Sequence, residues 1–174
     1  MNDLGEHHSE GFLQKCFDDL LMRLKEKCAE FYGDRLVSLL VYGSVGRGTM
    51  RPDSDIDLLI VAEPLPKGRI PRVREFDAVE RSMKPYLDEA RKHGIYAPLS
   101  PVFKTPYEIR LGSPLLLDMV EDSRILFDRD GFISKELTRL RERLTRLGSK
   151  RVWKGNAWYW DLKPDYRIGD IFEI

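Results

Sequence analysis

Amide side chains are almost missing from this chain: Gln14, Asn2 and Asn156 are the whole set among 174 residues. Charged residues, by contrast, make up 33%. Many charges with few thermolabile amides point to a thermophilic source. Cysteine is scarce as well. Cys16 and Cys28 fall in one amphipathic stretch, at a spacing that matches no zinc or redox motif. They read as small buried apolar residues of a protein from a reducing cytosol. No apolar run is long enough to cross a bilayer, and the opening segment, with Asp3, Glu6, His7 and His8, is not a signal peptide. A cytoplasmic protein is expected. His7 and His8 could bind a metal, but read better as part of a frayed terminus. Net charge is missing too: 29 basic residues balance 29 acidic ones at a pI near 6.8. That balance argues against a long nucleic acid or an acidic membrane as partner.

What is present is an ordinary apolar fraction, 42%, in a chain of one-domain length. Phe12, Leu13, Cys16, Phe17, Leu20, Leu21, Leu24, Cys28 and Phe31 recur at three-and-four spacing, which predicts a long amphipathic helix. Ser9 is its expected cap and Gly33 its stop. The run Leu36 to Tyr42 reads as a buried strand, and a second strand runs from Ile56 to Ala62. Pro64, Pro66, Gly68 and Pro71 place a loop over residues 63 to 71. Phe76, Val79, Met83 and Leu87 mark a helix ending near Gly94. A third strand falls between Ile95 and Lys104, and Pro98 with Pro101 makes it an edge or bulged strand. Thr105-Pro106-Tyr107-Glu108 reads as a capping box. A helix from Leu115 to Val120, a short strand from Arg124 to Phe127 and a helix from Phe132 to Leu147 follow. The arginines of that last helix (Arg139, Arg141, Arg143, Arg146) interleave with Glu136 and Glu142, the pattern of a salt-bridged solvent face.

The composition changes after Gly148-Ser149. Trp153, Trp158, Tyr159, Trp160 and Tyr166 crowd the tail, and all three tryptophans are there. Residues 1–149 are expected to form one domain. Residues 150–174 are expected to form an aromatic extension that packs on it or on a partner, a second copy included.

The segment that carries chemistry is Tyr42-Gly43-Ser44-Val45-Gly46-Arg47-Gly48-Thr49-Met50-Arg51-Pro52-Asp53-Ser54-Asp55-Ile56-Asp57-Leu58. It leaves a strand and opens a short helix. Gly43 lets backbone approach a ligand closely. Amides at a helix start suit a phosphate, Ser44 adds a hydroxyl, and Arg47 adds a charged fork for phosphate oxygens. Asp55 and Asp57 alternate on a strand, so both point the same way, roughly 6.6 Å apart along the chain. Two such carboxylates amid apolar neighbours call for a shared cation. Mg²⁺ is the natural one, since it takes carboxylates with triphosphate oxygens and keeps some waters. The segment is neither a Walker A loop nor a Rossmann fingerprint. Phosphate donors beside metal carboxylates make a site for in-line nucleotidyl transfer.

This segment resembles the signature of the DNA polymerase β-type nucleotidyltransferase superfamily, in which an apolar strand ends in Gly-Ser and an Asp-apolar-Asp follows. Gly43-Ser44 and Asp55-Ile56-Asp57 match it. Arg47-Gly48 and Ser54 resemble the small, minimal members and the antibiotic nucleotidyltransferases. The resemblance implies an α/β (α+β) fold, a mixed β-sheet with helices packed mainly on one face, here with a C-terminal helix and the aromatic tail added. It implies that Gly43, Ser44, Arg47 and Ser54 hold the nucleotide. It also implies that Asp55 and Asp57 are both the catalytic and the metal-binding residues, for Mg²⁺ or Mn²⁺. The activity implied is transfer of a nucleoside monophosphate, AMP foremost, from an NTP to a hydroxyl acceptor with loss of pyrophosphate. Small members often act with a helical partner protein in toxin–antitoxin pairs.

Such enzymes usually have a third carboxylate on a later strand. The segment expected there, Tyr96 to Lys104, has no acid. Ser100 could hold a water. Glu108 is claimed by its capping box, and Asp118 and Glu121 read as a solvated helix face. Asp161-Leu162-Lys163-Pro164-Asp165 reads as a turn that could also reach a triphosphate. The missing acid leaves a second reading, a non-catalytic NTP- and metal-binding or antitoxin-like module.

Overall fold

The computed structural model describes residues 3–155, 157–168 and 170–172, with the side chains of residues 3–10 and of Ala157 outside that description. The proposed cap Ser9, the His7–His8 pair, and Asn2 and Asn156 therefore fall outside the described side chains. The order is α1 (Asp3–Tyr32), β1 (Leu36–Tyr42), α2 (Gly43–Arg47), β2 (Ile56–Ala62), α3 (Arg69–Lys92), β3 (Leu99–Lys104), α4 (Pro106–Arg110), α5 (Leu115–Asp122), β4 (Arg124–Asp128), α6 (Phe132–Arg146), and a hairpin of β5 (Lys150–Lys154) and β6 (Ala157–Asp161).

Four strands form a mixed sheet in the order β3-β2-β1-β4. β1 runs antiparallel to β2 and β4, and β2 runs parallel to β3. The parallel pair needs a crossover, which α3 supplies. β1 and β2 are central, so alternate side chains are buried on opposite faces. Leu39, Val41, Ile56, Leu58 and Ile60 meet α1 and α3. Leu40, Leu59 and Val61 meet Ile109 of α4, Leu116, Met119 and Val120 of α5, and Ile133, Leu137 and Leu144 of α6. Burial on both faces is why both strands read as nearly continuous apolar runs, interrupted by Ser38 in β1 and Asp57 in β2.

The expected mixed sheet is therefore present. The two long helices, α1 with 30 residues and α3 with 24, share one face. The second face is covered by the shorter α4, α5 and α6, which the family likeness did not foretell. β3 is an edge strand, as its prolines required. The capping box of α4 forms in full, and Glu108 also takes a two-pronged ion pair from Arg72, at 2.8 and 3.0 Å.

Several boundaries move. α1 begins at Asp3, upstream of Ser9, so Ser9 lies within the helix rather than at its cap, and Phe12, at the start of its stripe, is exposed. α3 begins at Arg69, which takes Pro71 into its first turn, where a missing N–H costs nothing. α5 continues to Asp122 rather than ending at Val120. No described helix is long and apolar enough to cross a membrane.

Asp128 ties the β4 edge to α6. It accepts hydrogen bonds from the Ser38 hydroxyl at 2.9 Å, from the backbone N–H groups of Ile133 and Ser134, and from the Ser134 hydroxyl. Burial alone would push its pKa up, but those donors outweigh it and hold the carboxyl below the ordinary value. Stability from this group is full above the unfolded-state pKa and is lost as pH falls through the lowered folded value. Asp128→Ala is expected to cost about 2 kcal/mol at neutral pH, by uncapping α6 and orphaning the buried Ser38. Urea unfolding should show that gap narrowing in acid.

Candidate active site

The site lies where β1 ends and β2 begins. β1 carries the chain to Tyr42, and Gly43 turns it into α2 with φ +67°. Gly48, also left-handed, ends α2 after one short turn, and its N–H donates to Val45 O. Buried Val45 and Met50 anchor this turn in the core. Residues 51 to 54 then reverse the chain. The Ser54 N–H donates to Arg51 O at 3.0 Å, and the Ser54 hydroxyl accepts from the Arg51 N–H at 2.8 Å. Ser54, read as a nucleotide contact, thus has a structural task in shaping the turn before Asp55. The turn is pinned to the segment leading into β3 by Tyr96 N–H to Pro52 O at 2.7 Å and Ile56 N–H to Pro98 O at 2.8 Å.

Asp57 sits opposite Tyr42 on one side and Ser100 on the other. Its parity is that of Leu59 and Val61, so it faces the layer of α5. Asp55, expected on the strand with Asp57, falls in the turn just before β2, which begins at Ile56, and is exposed, whereas Asp57 is half-buried. A Cβ on Gly43 would run into Asp57 Oδ2. Only glycine suits that position, by conformation and by space. Gly46 is equally confined: a Cβ there would meet the carbonyls of Asp122 and Val41. Gly46 carries no such signal in the sequence, because one of the carbonyls that confine it belongs to Asp122, far along the chain.

Charge explains the rest. Burial raises the Asp57 pKa, and the Asp55 charge raises it further, while hydrogen bonding from Ser100 and the Arg47 charge pull it back. Burial, with Asp57 and Asp118 nearby, pushes the Tyr42 phenol up to about 12, so it stays a neutral donor. Asp118, expected on a solvated face, is half-buried, and burial raises its pKa against the pull of Arg151 and Arg47. Glu121 is exposed, as expected. Arg47 lies 3.5 Å from Asp122. Neither Asp122 nor Arg151 stood out in the sequence, because only folding brings α5 against α2 and Arg151 of β5 against the end of α5. Glu108 is occupied by Arg72 and Thr105 and adds nothing to the site. Lys163 pairs with Asp165 at 2.9 Å and Asp170 at 3.5 Å, within its own tail.

Among the described residues no cluster of three or more His, Cys, Asp or Glu side chains is arranged to hold a metal. Asp55 and Asp57 form a two-carboxylate set whose mutual repulsion and burial a hard divalent cation would relieve. That donor set fits Mg²⁺, which completes its shell with water and phosphate oxygens.

Residues 21–127 match the family model of the nucleotidyltransferase domain. A protein of Methanocaldococcus jannaschii that carries the provisional name protein adenylyltransferase is 32% identical over 148 residues, which cover 81% of this chain and 95% of the relative. Two solved structures are similar at lower levels. A toxin–antitoxin with AMP-PNP is 17% identical, covers 71% of this chain and 92% of its own, and has a TM-score of 0.45. A mutant of the toxin–antitoxin MntA-HpeT is 17% identical, covers 71% and 90%, and has a TM-score of 0.43.

Two outcomes follow from the geometry. Gly43→Ala should destabilise the protein by about 1–2 kcal/mol from the left-handed backbone alone, with the displaced Asp57 adding to that, as urea unfolding would show. Ionised Asp57 costs stability above its raised pKa and costs nothing below the unfolded value. Asp57→Asn should therefore raise the melting temperature of the metal-free protein at neutral pH, and that gain should vanish in acid. Mn²⁺ should raise the melting temperature of the wild type and not of this variant.

Proposed function

The chain belongs to the nucleotidyltransferase domain family, and we propose that it transfers a nucleoside monophosphate, AMP foremost, from an NTP to a hydroxyl acceptor. The observation that carries this reading is the contact between Gly43 and Asp57. It sets a half-buried carboxylate against the start of α2, with Asp55 beside it. The name of the Methanocaldococcus relative supports a protein side chain as acceptor.

Asp55 and Asp57 hold the divalent cation, Mg²⁺ or Mn²⁺, which when bound neutralises the triphosphate and the charge that develops on the leaving group. Gly43 lets the backbone approach the phosphates, and Ser44 and Arg47 donate to their oxygens. The acceptor oxygen bonds to the α-phosphorus as the bond from that phosphorus to the bridging oxygen breaks. Pyrophosphate leaves and the acceptor proton passes to water. Tyr42, kept neutral by burial and by the nearby charges of Asp57 and Asp118, leaves a phenol proton available beside the site. Exposed Trp153, Tyr159 and Tyr166 offer a surface for a protein partner or a second copy.

One observation favours a second reading. Ser100 occupies the position beside Asp57 on the neighbouring strand, where the family pattern leads one to look for a third acid. A domain with two carboxylates would bind metal and NTP without turnover. Incubation with each α-labelled NTP and Mg²⁺ or Mn²⁺, alone and with lysate of the source organism, separates the two. Label should move to an acceptor, ATP should be the best donor, and Asp55→Ala/Asp57→Ala should abolish transfer. Metal-dependent NTP binding with no label transfer would instead establish the binding module.

A further inference from the structure

Asp122, the last residue of α5, has two guanidinium partners of unequal strength. Arg151 of β5 grips it with both prongs, Nη1 to Oδ1 at 3.1 Å and Nη2 to Oδ2. Arg47 of α2 touches it loosely, at 3.5 Å. The Asp122 side chain is 12% exposed and that of Arg151 16%, so their pairing is shielded, while Arg47 is 31% exposed. The Arg151 guanidinium also lies 4.8 Å from the Trp153 ring and 4.1 Å from the Trp158 ring. Both rings belong to the hairpin, which docks on the second core through Trp160. Arg151 is thus built into the hairpin and delivered to Asp122 as a rigid fork.

A buried carboxylate needs a counter-charge. With Arg151 in place, Asp122 is satisfied and Arg47 is only weakly held. Without Arg151, the cation left in contact with Asp122 among the described residues would be Arg47, drawn away from the phosphates. We propose that the C-terminal hairpin sets the affinity for the triphosphate by occupying Asp122, the carboxylate that otherwise competes with the nucleotide for Arg47. Arg151 is a positioning residue: it touches no substrate and acts through Asp122 on Arg47. The hairpin lies outside the residues that match the family model, 21–127, so this control would be exerted from beyond that matched segment. A partner that lifts the exposed aromatic face of the hairpin would lower nucleotide affinity by the same route.

The proposal rests on Arg47 gripping the triphosphate. The test is equilibrium binding of the β,γ-imido analogue of ATP with Mg²⁺ to the full chain. Arg151→Ala is expected to bind roughly tenfold more weakly, the scale of one charge-assisted contact. Asp122→Asn in the Arg151→Ala background should restore affinity to near the wild-type value, since no carboxylate then competes. Arg151→Lys, which keeps the charge but loses the fork, should fall between wild type and Arg151→Ala, and the rescue by Asp122→Asn guards against a hairpin that simply fails to fold. Undiminished binding by Arg151→Ala, or a double variant as weak as Arg151→Ala, overturns the proposal. Arg47→Ala separates the two levels. If it binds as tightly as wild type, the phosphate role of Arg47 fails and the proposal fails with it. If it binds weakly while Arg151→Ala does not, the phosphate site stands and the hairpin's role falls.

Discussion

The pairing of β1 with β2 places Tyr42 opposite Asp57, and everything chemical in this protein depends on that register. It brings a carboxylate to the residue where β1 gives way to α2, so close that Gly43 can carry no side chain. A slip of one residue would turn Asp57 into the layer of α1 and α3, where Ile56 and Leu58 are packed. A charge there would have no partner. The apolar residues on either side of Asp57 thus act as the register's guarantee. They bury on one face what the carboxylate leaves free on the other.

Around that register the protein holds acids under tension. Asp57 and Asp118 are half-buried, and burial raises both from the ordinary aspartate value. Arg47 and Arg151 supply the opposing charge from α2 and β5. Such an arrangement costs stability in the folded chain, and a bound cation and triphosphate would relieve part of that cost. By contrast, Asp128 and Glu108 are fully engaged with donors and hold their pKa values low. The same residue types serve opposite ends, and the difference lies in how many donors surround each oxygen.

Much of the fold was legible because local rules agreed. The β1 and β2 boundaries, the edge position of β3 and the capping box of α4 followed from apolar runs, prolines and the Thr-x-x-Glu spacing. Other features were not legible. The start of α3 was hidden by Pro71, which marks a loop in sequence and a first helical turn in the structure. The role of Asp118 was misread because a lone acid on a helix looks solvated until its neighbours are known. The turn-shaping role of Ser54 was masked by its place inside a signature.

The sequence by itself determined the strand–turn–strand unit and the sheet face on which Asp57 stands, because alternation along a strand is a local property. It also determined the glycine at position 43, since a strand that must turn at once into a helix admits little else. Only the tertiary structure decided that the second sheet face is covered by α4, α5 and α6, and that Ser100 stands beside Asp57. It also decided that Asp122 joins Arg47 to Arg151. Those contacts join residues from tens to a hundred positions apart, and no local periodicity encodes them. They exist because burying both faces of β1 and β2 forces the late helices and the hairpin back against the start of the site.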